Sequence, residues 1–304
     1  MSACCPPGSE GAPPPSTSTP GRSFLGASSP RGEAVRIPAA AEEDVPSMDC
    51  YVSGAPLSSP ALERVVLVFT DVFGYEAGNH RLFADVLAAR LGGGEEGRAT
   101  VLVPDLFRGN PIAQPILSSY LPDPIGILAT LPAFLYRMRF GCTPQVLERD
   151  LTRLIFPWIK SQLKSPEKFD EMGASCVGFC FGGWVAARSL AMEGIPMRCG
   201  VGVHPSFIME GMFWGDEAEL VRNTGAKPIL LLPAGNDKKS TKAGGEHARA
   251  LAVARHLPEG EITREFPDMK HGWVSRGDGT KPAVAKRQEE AMDAVVKFLE
   301  KNHV

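Results

Sequence analysis

The sequence predicts an α/β fold, with a mostly parallel central sheet and helices on both of its faces. Two observations carry this. From Asp49 onward, short and nearly continuous apolar runs alternate with stretches of helical periodicity. Strands buried on both faces read as continuous apolar segments, whereas half-exposed strands alternate. The composition, 43% hydrophobic and 22% charged over 304 residues, is that of a globular chain.

The elements follow in order. Fourteen of the first twenty residues are Pro, Gly, Ser or Thr. So few apolar groups cannot offset the entropy of ordering, and residues 1–48 are expected to be disordered. Arg22, Arg31 and Arg36 would suit a plastid or mitochondrial transit peptide, but Glu10, Glu33, Glu42, Glu43 and Asp44 do not. The folded domain is expected over 49–304. Val65–Phe69 reads as a strand, and Asn79–Leu91 as the helix after it. Thr100–Val103 is the next strand, closed by Pro104-Asp105. Thr143 before Pro144 is an N-cap ahead of a first-turn proline. Beyond it Leu147, Leu151, Leu154, Ile155, Trp158 and Ile159 share one helical face. Ser175–Phe179 and Gly200–His204 are strands with the helix Gly182–Glu193 between them. Ile229–Pro233, a helix over Glu246–His256, a strand over Ile262–Phe266 and a final helix over Val284–Glu300 complete the series. Residues 109–142 break the alternation with five prolines among Leu, Ile and Phe, and read as a lid or a packed surface insertion.

Charge and cysteine usage narrow the function classes. A net charge of −3 offers no footprint for nucleic acid or an anionic membrane. The apolar run Pro124–Tyr136 is too short to span a bilayer, which takes about 20 residues. Seven cysteines at low density fit a reducing compartment such as the cytoplasm. Cys50, Cys142, Cys176 and Cys199 lie in or beside apolar segments and read as small buried hydrophobes. Cys4 and Cys5 have no further Cys or His at zinc-ligand spacing, so they read as a flexible, solvated pair.

Cys180 stands apart. Gly178-Phe179-Cys180-Phe181-Gly182-Gly183 sits where a strand meets a helix. There a nucleophile is held in a strained backbone turn, and small residues two positions either side let the neighbouring chain approach. The helix start beneath favours a thiolate. The bland alternative is a structural Cys beside a glycine-rich turn. Asp237 follows the strand Ile229–Pro233, and His271 follows Ile262–Phe266. Nucleophile, acid and histidine in that chain order, each just past a strand end, is the order of the α/β-hydrolases. His204 also ends a strand and reads as a supporting group.

Several stretches together make the chain resemble the dienelactone hydrolase (carboxymethylenebutenolidase-like) family from about Asp49 to Val304. They are Thr70–Gly74, Pro104–Phe107, the Gly178–Gly183 elbow, His204-Pro205-Ser206-Phe207, Asn236-Asp237 and His271-Gly272-Trp273. The Asp71–Ala77 and His204–Phe207 stretches, and the start Cys4-Cys5-Pro6-Pro7-Gly8, look closest to its plant and fungal branch. The resemblance implies an α/β-hydrolase fold and hydrolysis of a small ester or lactone. It implies Cys180 as nucleophile, His271 as base, Asp237 as its orienter, and an oxyanion hole from the backbone N–H groups of Val72 and Phe181. Asp71 stands where bacterial members carry a Glu that controls the thiol. Arg276 falls near a family arginine that binds a substrate carboxylate; a solvated surface Arg is the alternative.

Two rival readings stay open. Some plant relatives carry a glucanase name, and a glycosidase would need two carboxylates about 5–9.5 Å apart. A non-catalytic relative would bind small acids or sense oxidants through Cys180. No metal or cofactor is expected, because the histidines form no ligand pattern along the sequence.

Overall fold

The computed structural model describes residues 5–6, 8–10, 23–40, 44–94, 96–111, 135–225 and 227–303. Seven strands form one sheet: β1 (Glu33–Ile37), β2 (Met48–Gly54), β3 (Arg64–Phe69), β4 (Ala99–Pro104), β5 (Ala174–Phe179), β6 (Met197–Val203) and β7 (Ile229–Leu232). Their spatial order is β1-β2-β4-β3-β5-β6-β7. From β4 to β7 all pairings are parallel, and β1 and β2 add antiparallel at one edge.

The period-two geometry of a strand divides each apolar run between two layers. Val65, Leu67 and Phe69 of β3 join the core on one face, and Val66 and Val68 join the core on the other. The first face is covered by α2 (Pro144–Asp150), α3 (Phe156–Gln162) and α5 (Phe181–Ala191), and a short α4 (Lys168–Met172) precedes β5. The second is covered by α1 (His80–Arg90) and by α10 (Pro282–Asn302) through Ala291, Met292, Val295 and Leu299. Between α5 and α10 lie α6 (Ile208–Phe213), α7 (Glu217–Asn223), α8 (Glu246–Arg255) and α9 (Glu259–Ile262).

Local signals act as expected. The Thr143 hydroxyl accepts the Val146 N–H at 3.2 Å and starts α2 with Pro144 in its first turn. The single helix expected beyond it is two helices joined by a π-helical segment, Leu151–Ile155, ahead of Pro157, which supplies no N–H to an α-helical ladder. Three expectations need correction. Ile262–Phe266 is no regular strand: Ile262 closes α9, and only single bridges at Thr263 and Phe266 reach β7 and Ala234. Residues 33–37 and 44–48 are ordered: β1 pairs along its own length with Met48–Val52 of β2, and Phe24, Ile37 and Val45 are buried. Cys5 is packed against the core rather than solvated. Cys4 and residues 112–134 of the expected insertion lie outside the described residues. Among those described, no helix is long and apolar enough to cross a membrane.

Candidate active site

The β5–α5 turn forces Cys180 to φ 55° and ψ −113°, a conformation L-residues rarely hold. The turn closes only because Gly178 and Gly182 lack side chains. A Cβ on Gly178 would overlap the Gly182 carbonyl, and one on Gly182 would overlap the Phe69 carbonyl. The Cys180 N–H donates to the Val203 carbonyl at 3.1 Å, and the Cys180 carbonyl accepts the Ser206 N–H at 2.9 Å. The end of β6 and the turn after it therefore pin the elbow. Ser206 also places its Oγ 3.4 Å from Cys180 Sγ. Sequence reasoning gave Ser206 no role of its own, and its only signal was its place in the His-Pro-Ser-Phe turn after β6.

Asp237 and His271 meet across two loops. His271 Nδ1 lies 2.6 Å from Asp237 Oδ1, and Asp237 Oδ2 accepts the Ala234 N–H at 2.7 Å. Asn236 fixes the other loop by accepting the His271 N–H at 2.7 Å. His271 is 1% exposed. Burial alone would push its pKa down, but the hydrogen bond to Asp237, then the Cys5 sulfur, outweigh it and raise the imidazole to about 9. With Nδ1 on Asp237, Nε2 is the nitrogen that faces the sulfurs: Cys5, Cys180 and His271 have one donor atom each within 4.8 Å of one another. His204, at the end of β6, packs its ring edge-on to His271 at 4.7 Å. Burial, then His271 and Arg276, hold its pKa well below the ordinary value, so it stays neutral beside the His271 imidazole.

Arg276 is no surface residue. It is 2% exposed and donates from Nη1 to Asp71 Oδ2 at 2.5 Å. Burial opposes its charge, but Asp71 and the two sulfurs hold it firmly protonated. The Asp71 carboxylate also accepts from Ser275 Oγ at 3.0 Å and from the Phe73 N–H at 3.0 Å. Phe181 opens α5, so its N–H has no acceptor within the helix, and Val72 is buried in the turn after β3.

The N-terminal strap adds what no motif announced. The Glu10 N–H donates to the His271 carbonyl at 2.8 Å, and Arg276 Nε donates to the Glu10 carbonyl at 3.2 Å. Cys5 Sγ lies 3.7 Å from Cys180 Sγ. Beside them a cavity of about 290 Å³ is lined by Cys5, Pro205, Ser206, Asp237, Thr241 and His271. A larger groove of about 880 Å³ at the β2–α1 edge has no comparable chemistry. Its one buried carboxylate, Asp85, is already engaged by Tyr51, Ser53 and the Arg31 N–H. Burial pushes Cys199 up to about 11, Cys142 to about 12, and Cys50 and Cys176 also upward, so they stay protonated at neutral pH.

Comparison with known proteins places the chain in a family context. The model of the dienelactone hydrolase family matches residues 49–303. Hydrolase tropI of Talaromyces stipitatus is 28% identical over 248 residues, spanning 77% of this chain and 79% of its own. A carboxymethylenebutenolidase homolog of Mus musculus is 26% identical over 264 residues, spanning 86% and 90%. Among solved structures, a putative dienelactone hydrolase from Klebsiella pneumoniae has a TM-score of 0.54 at 16% identity, over 89% of this chain and 99% of that one. A dienelactone hydrolase-like promiscuous phosphotriesterase from metagenomic libraries also has a TM-score of 0.54, at 14% identity, over 90% and 99%. At such identities the structural likeness speaks for the fold.

Proposed function

Since the chain belongs to the dienelactone hydrolase family, and so hydrolyses carboxylic ester or lactone bonds, we propose that it does so by thiol chemistry with Cys180 as nucleophile. The observation that carries this reading is the buried Asp237–His271 pair, with the ring nitrogen opposite Asp237 turned toward Cys180 at the strained elbow. His271 takes the thiol proton, and the thiolate adds to the substrate carbonyl. The tetrahedral oxyanion faces the Val72 and Phe181 N–H groups, each worth about 3 kcal/mol in comparable sites. His271 Nε2 returns the proton to the leaving alkoxide, leaving a thioester on Cys180. Water, activated by the same nitrogen, releases the acid and restores the thiol. Asp237 holds the imidazole tautomer throughout.

Arg276 supplies a reason for substrates that carry a carboxylate. Its Nη2 is buried and makes no hydrogen bond among the described residues, so a second anion has a donor waiting. Asp71 acts on the thiol through Arg276, by neutralising a cation that couples to both sulfurs. The glycosidase reading lacks support, because Asp237 is bound to His271 and Asp71 to Arg276, so neither carboxylate is left to serve in the acid–base pair that it needs. The test is turnover of a short p-nitrophenyl ester and of a dienelactone. Alkylation of Cys180 and the Cys180→Ala substitution should each abolish both. Near-parental turnover by Cys180→Ala would refute the assignment.

A further inference from the structure

We propose that Cys5, Cys180 and His271 together bind a soft divalent cation of the zinc type, clamping the N-terminal strap over the catalytic thiol. The geometry is that of a three-ligand site before it closes. With Zn–S bonds of about 2.3 Å, a tetrahedral angle places two sulfurs about 3.8 Å apart. Cys5 Sγ and Cys180 Sγ are 3.7 Å apart. All three donor atoms lie within 4.8 Å of one another, against about 3.6 Å for a tetrahedral sulfur–nitrogen edge, so the ring nitrogen has at most about 1 Å to move.

The third ligand carries a second, independent sign. His271 Nε2 is buried and has no oxygen or nitrogen partner among the described residues. Its Nδ1 is fixed by Asp237 at 2.6 Å, the carboxylate–histidine pairing that orients imidazoles toward zinc. Two sulfurs and an imidazole suit a soft or borderline ion and discriminate against magnesium and calcium. The strap is held in position by more than Cys5. Glu10 bonds both the His271 carbonyl and Arg276 Nε, and Ser9 turns the chain back on the Pro6 carbonyl. Binding releases the protons held by the two thiols and by His271 Nε2, and the dithiolate balances the cation's two charges. One coordination position remains for water.

Such an ion occupies both reacting atoms of the proposed triad, so hydrolysis stops while it is bound. That silencing rests on the roles proposed above; binding itself does not. Cobalt(II) titrated into the full chain, kept reduced with a phosphine under argon, reads binding without reference to turnover. One equivalent is expected to give a thiolate-to-cobalt charge-transfer band and the intense visible bands of a tetrahedral ion, displaced by zinc. Cys5→Ser and Cys180→Ser are each expected to weaken cobalt binding at least tenfold, and Cys199→Ser to leave it within twofold. In parallel, zinc should inhibit ester hydrolysis with one-to-one stoichiometry, reversed by EDTA, and Cys5→Ser should shift the inhibition at least tenfold to higher zinc. No tetrahedral spectrum, or a spectrum unchanged by Cys5→Ser, overturns the site. Loss of activity that zinc does not cause and only a thiol reductant reverses points to a Cys5–Cys180 disulfide and also overturns it. A tetrahedral spectrum in a chain that hydrolyses no ester upholds the metal site and removes the hydrolase reading.

Discussion

Replacing Asp237 with Asn tests the charge state on which the proposed chemistry depends. His271 is raised from an ordinary 6.5 to about 9 despite near-complete burial, with Asp237 as the first of the groups raising it. At about 1.36 kcal/mol per tenfold change in proton affinity, that raise corresponds to roughly 3 kcal/mol. The sign follows from linkage. A group whose folded pKa exceeds its unfolded value stabilises the fold fully below the unfolded value and loses that contribution as pH rises through the folded one. The parent should therefore carry about 3 kcal/mol of His271-linked stability at pH 6 and almost none above pH 9.5. In Asp237→Asn the amide still accepts from Ala234, but burial is left as the main influence on the imidazole, and its pKa falls below 6.5. The variant then lacks the acid-side stabilisation. Urea unfolding of both proteins from pH 6 to pH 9.5 measures this, since the difference isolates the pair from other titrating groups. The parent–variant gap should be about 3 kcal/mol or more at pH 6 and shrink steadily toward pH 9.5. A gap independent of pH, or a folded His271 titrating at or below 6.5 by NMR, would refute the reasoning. Turnover in the variant should fall on the order of 10²–10⁴-fold, with the tautomer no longer fixed.

Cys180→Ser should fold normally and lose most ester turnover, on the order of 10³-fold or more, because the base must now generate an alkoxide; steady-state kinetics with circular dichroism checks it, and retention of a tenth of the parental rate would count against thiol chemistry. Asp71→Asn leaves Arg276 buried without its carboxylate, so stability should fall by about 3–5 kcal/mol, and thiol alkylation should shift to lower pH as the nearby cation loses its counter-charge. An unchanged alkylation profile would remove Asp71 from control of the thiol. Removing residues 1–45 strips Phe24, Ile37 and Val45 from the core, at about 1.5–3 kcal/mol for each buried side chain. Thermal melts of that truncation should show a large loss or no soluble protein, whereas removing residues 1–10 should spare the melting temperature.

The parallel sheet, the N-cap at Thr143, the elbow at Cys180 and the chain order of Asp237 and His271 were legible from the amino-acid sequence alone. Each rests on local physics: continuous apolar runs, a side chain that accepts an N–H three residues on, glycines where backbones cross. Local patterns also misled. Ile262–Phe266 is apolar enough for a strand, yet it meets β7 only through single bridges, because the end of α9 occupies its first residue. The Pro- and Ser-rich start hid β1, whose order comes from pairing with β2 rather than from its own composition. Arg276 could be read as surface or site, and only folding decided it, by burying the guanidinium against Asp71, some 200 residues away. Cys5 carried no metal signal because ligand spacing is a rule about one segment. Its partners are distant in the chain, Cys180 in the turn after β5 and His271 in the loop before α10, and the strap's hydrogen bonds through Glu10 bring the three donors together. Contacts between groups so far apart in the chain are set by packing, and no window of sequence contains them.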